Sequence, residues 1–493
     1  MTELPSGMDG MSDDVLSRPG AGHAAIRGGI TRLAGYLAGT VVGTVSSIVL
    51  LRYLGVATFG RYATVMAIVG IVTGLSDPGL LMTAQREYVV EVGAEARDVL
   101  VASLIGLRTA LTVLVGGGAL ALAAAAGYPP ILVAGVGLGA VGVLVAHVGG
   151  ALLVPPTASL RYGLVTAVGI VRDVAGAATL LLLVAVGAGL LPFFAISTIA
   201  AIASTVVTTA VIGRRSLRVR FSWAEWKPLL AAALPLGLSS AIAILYLRAL
   251  LVTTSLVTST HATGLFALSD RIIEVVVGGV AVMLGAAFPI LARAGGDADD
   301  ERLGYVVQQL FNVAVFAAVF GVLVFAIAAR PIVTLLGGSE YADSARLLRI
   351  QCFALFGSFV GMAWFPALVA LRRLKALVFV NVAGVLTIAV VGGVLIPLFG
   401  VTGTAVAAVL GEAAIAAAGA MAFARARSGQ RPQLGAGIKM IGAGASVSLF
   451  AFVPGLPDAV AATLAAGTFV ALSWWSGAMP RDPIDALLAL RRR

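Results

Sequence analysis

Charged side chains are scarce in this sequence: 11% of its 493 residues are Asp, Glu, Lys or Arg, whereas 60% are hydrophobic. A soluble domain has roughly a quarter of its residues charged. The mean hydropathy of +1.04 therefore excludes a soluble globular protein, and most of the surface must face lipid. The 60 glycines fit this class, because small residues let membrane helices pack closely.

Cysteine and histidine are almost absent as well. The single cysteine, Cys352, cannot form an intramolecular disulfide. The histidines at 23, 147 and 261 show no metal-ligand spacing, so we interpret them as packed or surface side chains. We therefore expect no cofactor and no metal site.

The net charge of +10 is distributed as short basic clusters between apolar runs. The largest cluster comprises Arg214, Arg215, Arg218, Arg220 and Lys227. No basic stripe with interleaved aromatic residues occurs, so we do not expect a nucleic-acid partner. Such clusters instead orient membrane proteins beside anionic lipid headgroups.

The apolar runs predict an all-α integral membrane protein with about fourteen transmembrane helices, each of roughly twenty residues. The predicted organisation consists of these segments: a disordered cytoplasmic tail (1–29), a first lobe of helices 1–6 (30–213), a basic cytoplasmic linker (214–228), a second lobe of helices 7–12 (229–425), helices 13 and 14 (426–480) and a basic cytoplasmic tail (481–493).

Basic residues concentrate in the loops after even-numbered helices, while the loops after helices 3, 5, 7, 11 and 13 contain none. By the positive-inside rule both termini lie in the cytoplasm. The hydrophilic start of the chain lacks the basic-then-apolar pattern of a signal peptide. We expect a multi-pass protein of the cytoplasmic membrane, of undetermined oligomeric state.

The sequence also repeats itself. Gly60-Arg61-Tyr62-Ala63 opens helix 2 and Gly264-Leu265-Phe266-Ala267 opens helix 8, each after a long helix with an arginine near its end, Arg52 and Arg248. Six helices separate the copies, so both begin on the same side of the membrane. This pattern predicts two parallel lobes around a central cavity, an architecture typical of transporters.

Several segments resemble polysaccharide-export flippases of the multidrug/oligosaccharidyl-lipid/polysaccharide exporter superfamily, in the family's order over residues 25–425. These segments are Leu51–Gly55 with Phe59–Tyr62, Asp77–Leu80 with Gln85–Glu87, Leu335–Ala342 with Leu347–Ile350, and Leu395–Ala405. The resemblance implies a flippase that moves polyprenyl-diphosphate-linked oligosaccharide by alternating access, for cell-surface polysaccharide synthesis. It implies no covalent catalysis, so we do not expect an enzyme.

The sequence departs from the family pattern at one position. Many members carry an aspartate two residues after the helix-7 arginine, whereas Leu250 occupies that position here. Coupling to a proton or sodium ion through that carboxylate is therefore in doubt.

Charges inside membrane helices usually face a cavity or a partner. Helix 8 carries Asp270, Arg271 and Glu274 about halfway down, and Arg271 can reach Glu274 three residues on. The remaining candidates for substrate binding are Arg172, Asp173, Arg108, Arg248 and Arg52. Arginines suit a diphosphate because the guanidinium fork binds its oxygens bidentately. Structural ion pairs remain the alternative for these residues, and Arg52 and Arg61 can serve as helix-end anchors.

Four other functions stay open. A flippase of the peptidoglycan precursor would have the same architecture. A drug or cation antiporter of the superfamily would bind cations through carboxylates in the first lobe, but helix 1 has no acidic residue. A membrane glycosyltransferase or polymerase would need an extramembrane catalytic loop, and a scaffold would leave the mid-membrane charges unexplained. Lipid-linked oligosaccharide, membrane lipid and a coupling ion are thus the expected partners.

Overall fold

The structure, a computed structural model, describes residues 21–91, 93–213, 218–285, 300–426 and 433–479. Nearly all of these residues are helical and none of them forms a strand. The prediction of an all-α membrane protein with two lobes is confirmed.

The first lobe consists of α1 (Ala21–Ser76), α2 (Leu80–Val90), α3 (Ala94–Ala125), α4 (Pro130–Leu152), α5 (Val154–Ala158), α6 (Tyr162–Ala185), α7 (Leu190–Phe193) and α8 (Ile196–Ile212). The kink in α1 divides it into two arms. It lies at Gly55, whose φ of 67° and ψ of 171° are not helical. Glycine tolerates this left-handed φ at little cost.

The second lobe consists of α9 (Trp223–Val257), α10 (Thr260–Gly285), α11 (Asp300–Ile327), α12 (Ala329–Gly337), a 3₁₀ turn (Ser339–Tyr341), α13 (Ser344–Gln351), α14 (Ala354–Ala370), α15 (Leu374–Thr387), a π-helical turn (Ile388–Gly392), α16 (Gly393–Phe399) and α17 (Val401–Ala426). The last described elements are α18 (Gly435–Val447), a 3₁₀ turn (Ser448–Phe452) and α19 (Asp458–Trp475).

In the described part of the chain, 12 helical segments are long and apolar enough to cross a membrane. The first, Ala38–Val90, contains both arms of α1 and therefore crosses twice. Helix α10 is not among the 12, and its 26 residues include the charged trio Asp270, Arg271 and Glu274. With these two adjustments the structure agrees with about fourteen crossings.

The structure refines two boundaries. Helix α1 begins at Ala21, within the segment 1–29 that the sequence predicts to be a disordered tail. Residues 1–20, the tail 481–493 and part of the linker 214–228 lie outside the described residues. The fifth and sixth crossings, which are nearly continuous in the sequence, are separated by a turn at Gly187 with a φ of 67°.

The lobes meet first at the end of the molecule that carries Gly55, here called the Gly55 face. The N-terminal end of the second α1 arm crosses the start of α10, and Gly60 lies against Gly264. Tyr128 of the first lobe and Ser255 of the second are hydrogen-bonded through their hydroxyls at 2.7 Å. The largest apolar cluster contains residues of both lobes, among them Phe59 and Phe266.

The lobes also meet at the opposite end, here called the Gly79 face. The carbonyl of Pro78 contacts Gly237 of α9, and Gly74 lies against the side chain of Ile244. The two lobes therefore pack against each other at both ends of the molecule.

A shared turn supports the internal repeat independently of the sequence motifs. Leu160, before α6, and Arg372, before α15, have φ values of 58° and 56°. They are the positive-φ residues other than glycine in the described chain. Each is followed by an arginine, Arg161 or Arg373, that begins the next helix. Because side chains rarely adopt this conformation, its presence at matching places indicates a duplicated unit.

The terminal pair α18 and α19 packs on α11, outside the two lobes. The rings of Phe316 and Phe469 stack with centroids 5.2 Å apart. Gly444 lies against the side chain of Val319, so the absence of a Cβ permits this close packing. The predicted position of helices 13 and 14 as an addition to the lobes agrees with this packing.

Candidate functional site

A cavity of about 670 Å³ opens between the first arm of α1, α6 and α10, and it therefore has walls from both lobes. Charged residues line it from both sides: Arg172 and Asp173 of α6, and Arg271 and Glu274 of α10. The remainder of the lining is mainly glycine, threonine and aliphatic residues. The charged side chains in the membrane-spanning region thus face an open cavity and not the surrounding lipid.

Glu274 is the centre of the charge cluster on α10. Arg271 Nη1 donates to Glu274 Oε2 at 2.8 Å, which is the contact that the three-residue spacing predicts. Arg248 Nη2 donates to Glu274 Oε1 at 2.9 Å from α9. All three side chains are 34–43% exposed, so they remain accessible from the cavity.

Asp270 faces a second, smaller cavity. This space of about 260 Å³ lies between the second arm of α1 and helices α9 and α10, and Arg248, Asp270, Arg271 and Glu274 line it. Tyr62 and Met66 form its opposite side in the first lobe. The α10 charges are therefore positioned along the boundary between the lobes.

Arg172 and Asp173 form a loose pair on α6, with Arg172 Nε 3.4 Å from Asp173 Oδ1. The arginine side chain is 60% exposed, so the pair leaves most of its donors free for another anion. Asp173 lies against Gly39 of α1, where a Cβ would come 2.5 Å from Asp173 Oδ2. Gly39 thus provides the room for this carboxylate.

Arg172 and Asp173 also line a cavity of about 450 Å³ within the first lobe. Its other polar lining includes Ser46, Ser47 and His147. Asp173 and Arg172 therefore connect the inter-lobe space with the interior of the first lobe.

The structure does not bring Arg108 to these cavities. Its side chain is 4% exposed and donates to Asp77 Oδ2 at 2.8 Å and to the carbonyl of His147 at 2.8 Å. The ring of His147 bonds with Thr112 Oγ1 at 2.9 Å, which agrees with its interpretation as a packed histidine. Arg108 holds α3, α4 and the α1–α2 turn together.

Arg52 also lies away from the charge cluster. Its Nη2 donates to the carbonyl of Leu335 at 2.6 Å, near the C-terminal end of α12. The repeated motif places Arg52 and Arg248 each near the end of a long helix, but the structure puts them at different depths. Arg52 lies at the Gly55 face, whereas Arg248 contacts Gly70 and Glu274 and is nine residues, or roughly 13 Å, from the end of α9.

A further cavity of about 250 Å³ lies inside the second lobe, lined by Tyr246, Asp270, Gln351, Ser358 and Glu412, among others. Tyr246 donates its hydroxyl hydrogen to Glu412 Oε1 at 3.0 Å. The π-helical turn begins at Ile388, which also lines this cavity. The sequence does not single out Gln351 and Ser358 as site residues, although each is a polar residue within an apolar run.

The residues around the inter-lobe space can bind an anion and hydroxyl groups. The guanidinium groups of Arg172, Arg248 and Arg271 can donate charge-assisted hydrogen bonds to phosphate oxygens. Asp173 and Asp270 can accept hydrogen bonds from sugar hydroxyls. Within the described ranges, no group of three or more His, Cys, Asp or Glu residues is arranged to hold a metal ion.

These features define a class: an integral membrane protein of two repeated lobes that enclose a charged cavity. Solved structures share this fold. The lipid II flippase MurJ, in an inward closed conformation, has a TM-score of 0.70 and 11% identity, covering 89% of this chain and 97% of that chain. A MATE family multidrug transporter of the MOP superfamily, in an inward-facing conformation, has a TM-score of 0.62 and 15% identity, covering 81% and 98%.

A MOP superfamily transporter from Pyrococcus furiosus has a TM-score of 0.55 and 16% identity, covering 82% of this chain and 95% of that chain. A family model described as "Polysaccharide biosynthesis protein" matches residues 49–346, more than half of the sequence. The chain belongs to this polysaccharide biosynthesis protein family. No curated protein matches it significantly.

Proposed function

We propose that the protein is a flippase that carries polyprenyl-diphosphate-linked oligosaccharide across the cytoplasmic membrane. The observation that carries this proposal is the cavity between α1, α6 and α10, with Arg172 and Asp173 on one lobe and Arg271 and Glu274 on the other. Membership of a polysaccharide biosynthesis family supports a sugar-containing substrate. The fold shared with MurJ supports a lipid-linked one.

Arg172 and Arg271 are the residues best placed to hold the diphosphate, and Arg248 supports them from beside Glu274. A cavity of about 670 Å³ accommodates a headgroup of this class while the polyprenyl tail stays in the bilayer. Asp173, Asp270 and Glu274 accept hydrogen bonds from sugar hydroxyls or pair with the arginines when the cavity holds no substrate. Arg108 and Arg52 stabilise the lobes and their boundary, from positions away from the headgroup.

Transport proceeds by alternating access. With both termini in the cytoplasm, the Gly79 face is the cytoplasmic end and the Gly55 face the outer end. The headgroup enters from the Gly79 face, the lobes rock about the boundary, and the cavity then opens at the Gly55 face. Because diphosphate contacts come from both lobes, the bound substrate can bias this equilibrium through its differential affinity for the two states.

The test is binding of a fluorescent polyprenyl-diphosphate-linked oligosaccharide to the purified protein in lipid nanodiscs. Replacing Arg172 and Arg271 together by alanine should weaken binding about a hundredfold, because each removes charge-assisted hydrogen bonds. Arg346→Ala, which removes an exposed arginine of α13, serves as the matched control. Unchanged affinity in the double variant would refute the assignment.

Two rival substrates make distinct predictions in the same assay. Lipid II, the substrate named for MurJ, would bind in preference to oligosaccharide carriers if the protein moves peptidoglycan precursor. Cationic drugs would bind, and diphosphates would not, if it is an antiporter. Arg172 is 60% exposed and only loosely paired with Asp173, which supports an anionic headgroup over a cation.

A further inference from the structure

The cavity of about 450 Å³ within the first lobe has a polar lining beyond the residues that hold the diphosphate. Its volume lies in the range of ligand pockets, roughly 300–1,000 Å³. Arg172 and Asp173 line both this space and the inter-lobe cavity, so the two spaces adjoin at these residues. A substrate whose diphosphate is bound by Arg172 can therefore extend the group next to the diphosphate into the first lobe.

His147 presents an unpaired hydrogen-bond acceptor to this cavity. Thr112 Oγ1 donates its only hydrogen to the carbonyl of Arg108 at 2.7 Å, so it accepts a hydrogen bond from His147 Nδ1 at 2.9 Å. The ring hydrogen of the neutral imidazole is therefore on Nδ1, which leaves Nε2 as an acceptor. His147 is 4% exposed and lines the cavity, and Nε2 has no hydrogen-bond partner among the described residues. A buried acceptor beside an open space indicates a ligand that donates a hydrogen bond.

Two hydroxyl groups of the lining are also acceptors toward the cavity. Ser47 Oγ and Thr73 Oγ1 each donate to the carbonyl four residues earlier, at 2.8 and 2.9 Å. A hydroxyl has one hydrogen, so each can only accept from a ligand. Asp173 adds a carboxylate whose side chain is 30% exposed and only loosely paired with Arg172. Acceptors therefore predominate in the polar lining.

We propose that this cavity is the subsite for the sugar next to the diphosphate, and that it takes an uncharged, hydroxyl-rich sugar in preference to a uronic acid. Hydroxyls of such a sugar donate to His147 Nε2, to Asp173 and to the oxygens of Ser47 and Thr73. The aliphatic part of the lining packs against the C–H faces of the ring. This inference rests on the proposed function, because the bound diphosphate is what positions the sugar.

A uronic acid fits this lining poorly. Its carboxylate only accepts hydrogen bonds, so it would meet other acceptors and be repelled by Asp173. Arg172 is the one permanent cation among the described residues that line the cavity, and the diphosphate occupies it. Placing a second anion there would therefore leave the carboxylate without a partner, which is costly in a membrane interior.

The test compares binding of farnesyl diphosphate, its glucose conjugate and its glucuronic acid conjugate to the purified protein in lipid nanodiscs, corrected for partition into empty nanodiscs. The two sugars differ only at C6, where a carboxylate replaces a hydroxymethyl group. The glucose conjugate should bind about tenfold more tightly than farnesyl diphosphate, as expected for one or two net hydrogen bonds. The glucuronic acid conjugate should bind no more tightly than farnesyl diphosphate.

Substitutions in the subsite should remove the advantage of the glucose conjugate. His147→Asn places an amide near the position of Nδ1, where it can bond to Thr112, and removes the acceptor at Nε2. Combined with Thr73→Val, which replaces a hydroxyl by a methyl group, it should reduce the advantage to less than about twofold. Thr179→Val is the matched control on α6, because its hydroxyl also bonds to the carbonyl four residues earlier. The readout is a ratio of two affinities within one variant, so loss of folded protein alone cannot produce the effect.

Each alternative result has a distinct meaning. Equal affinity for all ligands, or tighter binding of the glucuronic acid conjugate, would overturn the subsite and leave diphosphate binding and the proposed function intact. An advantage of glucose that persists in the double variant would overturn it by placing the sugar elsewhere. If farnesyl diphosphate itself bound without dependence on Arg172 and Arg271, the proposed function would fail first and this inference with it.

Discussion

Gly60 and Gly264 touch each other across the boundary between the lobes: a Cβ atom added to Gly60 would lie 2.8 Å from the backbone nitrogen of Gly264. Gly60 lies at the start of the second α1 arm and Gly264 at the start of α10. The two copies of the repeated motif therefore contact each other where the lobes join. Added Cβ atoms would also collide with the carbonyls of Thr260 and Val56. Backbone groups cannot yield as a flexible side chain can, so only glycine allows this closure.

Gly60→Ala and Gly264→Ala should each hold the Gly55 face open. In a Cys352→Ala background, a cysteine at Ala63, which lines the inter-lobe cavity, should react severalfold faster with a maleimide added at that face. Removal of Cys352 leaves the sequence without another cysteine. Gly117→Ala is the matched control, because nothing lies within 4 Å of an added Cβ there. Equal labelling rates in the parent protein, the variants of Gly60 and Gly264, and the control Gly117→Ala would contradict this account.

Arg52→Ala should shift the lobes modestly toward an open Gly55 face, because it removes the bonds to the carbonyls of Leu335 and Leu336. Arg52 is exposed, so the expected population change is about two- to fivefold. Spin labels at Thr58 and Ser339, on opposite lobes, would report it as a larger fraction of long distances. Arg61→Ala provides the control. A larger shift in that variant would show that the hydrogen bonds of Arg52 do not hold the Gly55 face closed.

Asp77→Asn should destabilise the first lobe by about 3–5 kcal/mol, because Arg108 would keep a buried charge without its counter-ion. The double variant Asp77→Asn with Arg108→Met should recover much of this loss. Thermal unfolding of the three proteins measures both effects. The double variant should retain substrate binding at low temperature, since Arg108 lies apart from the inter-lobe cavity. Loss of binding in a stable double variant would restore Arg108 as a substrate ligand.

Glu274→Gln should release Arg248 and Arg271 from their shared carboxylate. Two uncompensated guanidinium groups should bind a diphosphate headgroup about tenfold more tightly and release it more slowly. Affinity in nanodiscs and flipping rate in proteoliposomes would therefore change in opposite directions. Weaker binding would show instead that Glu274 contacts the substrate directly.

The length of the apolar runs was sufficient to predict about fourteen crossings, since the bilayer thickness fixes the length of each helix. The spacing of Arg271 and Glu274 likewise predicted their contact, because residues three apart on a helix are neighbours. Helix α10 was predicted from the sequence as helix 8, although its three charged residues lower its hydropathy, and its start packs against Gly60 of α1.

Partners that come from distant helices could not be predicted. The pairing of Arg108 with Asp77, and the depth of Arg248 relative to Arg52, depend on how helices are displaced along one another. No periodicity within one helix encodes that displacement. For the same reason, the position of Gln351 beside the second-lobe cavity could not be predicted.

The sequence by itself determined that this protein lives in a membrane, contains two copies of a helical unit and carries charges that need a polar space, because hydrophobicity, repetition and desolvation are properties of the chain. Only the tertiary structure decided which charges share that space. Contacts between Arg248 and Glu274, and between Tyr246 and Glu412, arise from packing of separate helices. Side-chain packing at the crossing points, down to glycines that admit no Cβ, sets those distances.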